Sequence, residues 1–185
     1  GIGDFGDLEM LLEQLAARGG DFVGLNPLPA LYPSSPAFAS PYSPSSRRWL
    51  NIIYIDVAQV ADFQQSSAGQ KWWKSAKTQK ALKQARESEW VDYDAVMALK
   101  ITALRHGWAR FQSRDAQDAQ KQQFADFIQQ GGDSLRYQAA YEGADESGGQ
   151  SVGQLSSMLG QMGQMGQQAG QAGQGTQALL DRPAV

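Results

Sequence analysis

Six of the chain's seven prolines fall between residues 26 and 50, and this cluster restricts the possible folds more than any other feature. Pro27, Pro29, Pro33, Pro36, Pro41 and Pro44 alternate with Ser34, Ser35, Ser40, Ser43, Ser45 and Ser46. Proline has a fixed φ and no backbone N–H, so regular structure is not expected across the stretch. Yet Leu31, Tyr32, Phe38, Tyr42 and Trp49 lie within it, too much apolar surface for a disordered linker. A long loop with packing residues of its own is a candidate for function.

The flanks of the loop predict an α/β arrangement. In DLEMLLEQLAARGG, Leu8, Leu11, Leu12 and Leu15 fall at i, i+3, i+4 and i+7, one face of a helix. Asp7 is the expected cap and Gly19-Gly20 the left-handed stop. Phe22-Val23-Gly24-Leu25 then reads as a buried strand ended by Asn26-Pro27. Helix, glycine turn and strand make the αβ half of a parallel unit. Beyond the loop, Asn51-Ile52-Ile53-Tyr54-Ile55-Asp56-Val57 is β-branched and aromatic and predicts a second strand.

From residue 70 to 142 the periodicity is helical. Trp72 and Trp73 open one amphipathic segment. Met97, Ile101, Leu104, Trp108 and Phe111 mark the strongest, with Asp92 or Asp94 near its start. A third holds Phe124, Phe127 and Ile128 and stops at Gly131-Gly132; Asp133 or Ser134 then caps a short piece with Leu135, Tyr137 and Tyr141. Such stripes predict core rather than chemistry. After Tyr141 there is no aromatic residue and no lysine, and the chain becomes rich in Gly, Gln and Met. Leu155, Met158, Leu159, Met162 and Met165 keep a helical rhythm, but repeated glycines each weaken a helix by about 1 kcal/mol. A disordered or frayed-helical tail is expected for residues 143–185.

Charge and composition narrow the function. A formal net charge of −3 gives no basic face for nucleic acid. Lys71, Lys74, Lys77, Lys80 and Lys83 recur every third residue, close to Glu87 and Glu89, and read as a solvated helix face. Without cysteine there is no disulfide, thiolate nucleophile or cysteine zinc site. The only histidine, His106, has no second ligand beside it, so neither metal nor cofactor is expected. No apolar run approaches the roughly 20 residues that span a bilayer. GIGDFGDL is not a secretory signal, and a cytoplasmic location is expected. The first residue is not Met, which suggests a processed chain or a fragment.

The run GLNPLPALYPSSPAFASPYSPSSRRWLNIIYIDV, with GIGDFGDL before it and WVDYDAVMALKITALR after it, closely resembles the amino-terminal barrel region of bacterial 4-α-glucanotransferases, the amylomaltases or disproportionating enzymes. The resemblance runs from Gly1 to about Glu142; no similarity is read from Gly143 onward. It implies an incomplete (β/α)8 barrel: a partial barrel over 1–57, a helical insertion over 58–142 and an unrelated tail. A closed barrel takes about 250 residues, more than this chain has.

The activity implied is retaining transfer of α-1,4-glucan segments between maltooligosaccharides. That chemistry needs two carboxyl groups about 5 Å apart, a nucleophile and an acid/base. In the family these lie in Arg-x-Asp-His and Glu-Asp-Leu-Gly contexts, with a third Asp after a His. None of these motifs occurs in this sequence. No catalytic residue is therefore assigned, and the chain alone is expected to be inactive. Asp56 reads as structural. The resemblance does carry over part of the sugar-contacting wall. Tyr42 of PYSPSSR falls where the family presents a tyrosine to the glucan, and Asn26, Ser43 and Ser45 are further substrate-contact candidates. Pro29 stands where relatives usually have His, which removes one hydrogen-bonding ring beside the cleft. Two other readings stay open: a non-catalytic α-glucan-binding module, and an interaction or secretion role for the tail.

Overall fold

A computed structural model describes residues 1–33 and 35–142, with side chains as far as Tyr137. Residues Gly1–Ser113 form one compact unit, and a second begins at Arg114. The described residues are mostly helical, with one small two-stranded sheet.

Helix α1, Phe5–Ala17, starts one turn before the expected cap. Asp4 is the N-cap: its carboxylate accepts from the Gly6 N–H, and its own N–H donates to Asp7 Oδ2 at 3.0 Å. Asp7 is thus the reciprocal partner in a capping box rather than the cap itself. Gly19, at φ +80°, closes the helix in the left-handed region that glycine adopts without Cβ strain. The leucine stripe is present, but no residue of α1 is buried, and Leu11 and Leu12 stand exposed.

Both predicted strands are corrected. Residues 22–25 form none: among the described residues no strand pairs with them, and Phe22 is 87% exposed. A strand exists only through its neighbour, so β-favouring composition without a partner leaves extended chain. Residues 51–57 instead fold into two 3₁₀ turns, Ile52–Tyr54 and Val57–Gln59. Asn51 accepts from the Ile53 N–H and Asp56 from the Ala58 N–H, so local side-chain bonds take the amides that a ladder would need.

The loop expected to lack regular structure has some at its base. Strands β1, Pro29–Ala30, and β2, Ser46–Leu50, pair antiparallel. The pairs are Pro29↔Leu50 and Ala30↔Ser46, so β2 advances four positions against one on β1. Proline is tolerated because a two-stranded ladder is all edge.

Helices α2, Ala61–Gln64, α3, Ser67–Trp73, α4, Ala76–Glu87, and α5, Tyr93–Gln112, complete the first unit. Trp72 and Trp73 close α3 rather than opening a helix. Ser66, Ser75 and Asp92 cap α3, α4 and α5 by accepting from Gly69, Thr78 and Ala95. The five lysines at 71–83 are all exposed, as expected for a solvated face. Phe63, only 1% exposed, is the hub of one core cluster with Val57 and Ala103. The rings of Trp72 and Trp73 meet it nearly perpendicularly, at 6.3 and 5.6 Å. α2 lies on α5 beside Gly107, where a Cβ would sit in ordinary contact, 3.4 Å from the Phe63 backbone nitrogen. A second cluster joins Ile53, Ala85, Val96 and Met97.

In the second unit, α6, Ala119–Glu142, is broken at Gly132, whose φ of 51° and ψ of −141° are not helical. The stop read at Gly131-Gly132 is therefore present as a kink. Arg114 pairs with Asp118 at 3.1 Å. The Gln120 N–H and the Arg114 guanidinium hold the Asp118 carboxyl below the usual carboxylate range, against a smaller desolvation effect. The tail expectation for residues 143–185 lies outside the described residues, as does the side chain of Tyr141.

Candidate functional site

The β1–β2 ladder clamps the two ends of the proline-rich loop. The Ser45 N–H donates to the Ala30 carbonyl at 2.9 Å, and the Asn51 N–H to Leu28 at 3.0 Å. The Ser45 hydroxyl faces the carbonyl oxygens of Ala30, at 3.0 Å, and Leu31. Ser45 therefore fastens the loop base through its O–H, while the hydroxyl's lone pairs keep capacity to accept from a sugar. Above the clamp the chain folds through short turns, from Tyr32 to Ser35, Ser35 to Phe38 and Ser40 to Ser43. Ser43 is exposed at the last of these.

Tyr42 is 70% exposed, and its hydroxyl donates to Asn26 Oδ1 at 3.3 Å. Two of the candidate residues, sixteen positions apart, are thus brought into direct contact. The bond orients the phenol while its ring remains open to solvent. An open aromatic face suits the apolar side of a pyranose, and the hydroxyl keeps capacity for a sugar oxygen. Phe38 is also 70% exposed, and its ring contacts Tyr32 edge-on with centroids 6.4 Å apart. Sequence reasoning placed Phe38 among the packing residues of the loop; nothing in its neighbours signals that it faces outward.

A concave region lies among the helices. A cavity of about 150 Å³ is lined by Asp4, Asp56, Trp73, Val96, Leu99 and Lys100, among others. It holds two carboxylates, but both are engaged in the fold. Asp4 caps α1 and pairs with Lys100 at 3.0 Å, and Lys100 also donates to the Ile55 carbonyl at 2.7 Å. Asp56 caps the second 3₁₀ turn and lies against Gly6, where an added Cβ would collide with its Oδ2. These bonds support the structural reading of Asp56. His106 leans on the Trp72 ring at 5.6 Å as a packing group. Among the described residues no group of three His, Cys, Asp or Glu side chains is arranged to hold a metal ion. No described helix is long and apolar enough to cross a membrane.

Comparison with known proteins gives this geometry a context. The sequence model of the 4-alpha-glucanotransferase family matches residues 1–168, so the similarity extends past Glu142 and residues 143–168 are not an unrelated tail. A curated relative, the 4-alpha-glucanotransferase of Haemophilus influenzae, is 42% identical over 147 residues, which are 78% of this chain and 21% of the relative. The chain therefore spans about a fifth of that relative's length. A match of the family model over most of the chain places the chain in the 4-alpha-glucanotransferase family.

Proposed function

We propose that this chain supplies one wall of the substrate cleft of a retaining 4-α-glucanotransferase, which transfers α-1,4-glucan segments between maltooligosaccharides in the cytoplasm. In this reading residues 1–57 are a piece of a (β/α)8 barrel and residues 58–142 an insertion. Tyr42 faces the glucan, Asn26 orients it, and Ser43 stands beside it. The observation that carries the proposal is the Tyr42–Asn26 contact on a loop closed at its base, in a chain of this family.

The 185 residues alone do not perform the reaction. Double displacement needs a nucleophile and an acid/base on opposite sides of one bond. The sequence has no Arg-x-Asp-His or Glu-Asp-Leu-Gly motif, and Asp4 and Asp56 are committed to helix caps and to Lys100. Incubation of the purified chain with maltotriose, followed by chromatography, should return maltotriose unchanged. Efficient formation of glucose and longer oligosaccharides would overturn this reading.

A second reading, a non-catalytic α-glucan-binding module, is favoured by the outward position of both Phe38 and Tyr42. Saturable quenching of tryptophan fluorescence by maltooligosaccharides supports it, and a flat titration removes it. A role for residues 143–185 in interaction or secretion lies outside the described residues. Deleting them without altering fold or glucan binding would leave that role unsupported.

A further inference from the structure

We infer that Phe38 is a second glucan platform, which extends the surface begun by Tyr42 and makes affinity depend on oligosaccharide length. The inference rests on the reading of the loop as a glucan-contacting wall, and it adds a residue that the family motif does not mark.

A single outward phenylalanine on a protein surface is ordinary and requires no explanation. Three observations distinguish Phe38. It belongs to the same clamped loop as Tyr42, and both rings are 70% exposed. Its backbone is placed by a turn, its N–H donating to the Ser35 carbonyl at 2.9 Å, and its ring meets Tyr32 edge-on. A residue whose backbone is already placed loses less conformational freedom when a ligand settles on it. Finally, the separation is short. Four residues reach at most about 14 Å even when fully extended, at about 3.5 Å per residue, and the turn from Ser40 to Ser43 shortens this. One oligosaccharide of moderate length can cover both rings.

The two rings differ in what they recognise. Tyr42 has a hydroxyl that can bond sugar oxygens, so it discriminates among hydroxyl patterns. Phe38 has none, and a pyranose can meet it only through its C–H face. Phe38 therefore adds affinity to any glucan long enough to reach it, without choosing among hydroxyl configurations. Maltose resting on Tyr42 does not gain from Phe38; maltoheptaose does.

The test compares the full 185-residue chain with Phe38→Ala, Phe38→Trp and Tyr42→Ala. Affinity electrophoresis in amylose gels is combined with fluorescence titration by maltose and by maltoheptaose. Because Phe38 is exposed, Phe38→Ala should leave the far-ultraviolet circular dichroism unchanged. It should weaken maltoheptaose binding about three- to tenfold and leave maltose binding unaltered. Phe38→Trp should retain or improve binding. If Tyr42→Ala lowers affinity while Phe38→Ala leaves maltoheptaose binding intact, the platform is refuted and the glucan wall stands. If the unsubstituted chain is not retarded by amylose and gives no saturable titration, both fall together.

Discussion

Helix α1 and the four-residue helix α2 make an instructive pair. α1 is three times longer, carries a regular leucine stripe and ends in a capping box and a glycine stop, yet buries none of its residues. α2 is a single turn with no side-chain cap, yet it contributes Phe63, the most deeply buried large side chain described. Periodicity makes a helix with an apolar face, but only a neighbour turns that face into core. α2 has such a neighbour in α5, whose Ala103 packs with Phe63 in one cluster. α1 is tied mainly through its first turn, by the Asp4–Lys100 pair and the contact of Gly6 with Asp56.

The contrast can be broken by substitution. The largest loss is expected for Phe63→Ala, which empties the centre of the Val57–Ala103 cluster and should cost about 3–5 kcal/mol in urea denaturation. Lys100→Met should come next, at about 3 kcal/mol, since it leaves Asp4 partly buried without its cation. This variant should also raise amide exchange in the first turn of α1 while α5 stays protected; uniform loss of protection would show that α1 is integral to the core.

A smaller effect concerns pH. Burial, with a lesser contribution from Tyr93, pushes the Tyr54 hydroxyl above its ordinary value of 10.0. A raised folded-state pKa favours the protonated form, so the stability it contributes is complete below pH 10 and fades as pH rises through the folded value. Tyr54→Phe should flatten the alkaline limb of the stability curve and leave the neutral region unchanged. The smallest effect is expected for Leu11→Gln with Leu12→Gln, which should shift stability by less than about 0.5 kcal/mol and improve solubility. A loss of several kcal/mol there would mean that the leucine stripe is packed after all.

The same contrast explains what the sequence disclosed. The α5 stripe from Met97 to Phe111 and an acidic start at Asp92 or Asp94 were legible because helical bonds and caps are local; the structure caps with Asp92 and leaves Asp94 in the first turn. The leucine periodicity of α1 was equally legible, although its burial was not. Residues 22–25 and 51–57 were misread because composition signals a preference for a sheet but cannot supply the adjacent strand. At 51–57, Asn51 and Asp56 also offered the backbone a closer set of acceptors. The base of the proline-rich loop was read as irregular, yet Pro29 sits in a ladder because both strands are edges. At the candidate site, Tyr42 stands out through its motif. Its bond to Asn26 does not, since a contact across sixteen residues depends on how the loop closes. Phe38 was visible as a residue but not as a surface, because exposure is set by everything that fails to cover it.

The ladder at the foot of the loop has one more consequence. Pairing of Pro29–Ala30 with Ser46–Leu50 closes the intervening tip on its own base. Such a tip behaves as a replaceable cartridge: substitutions, and even insertions, within it can be sampled at little thermodynamic risk. Variation can therefore accumulate in those few positions while the scaffold beneath them stays as it is.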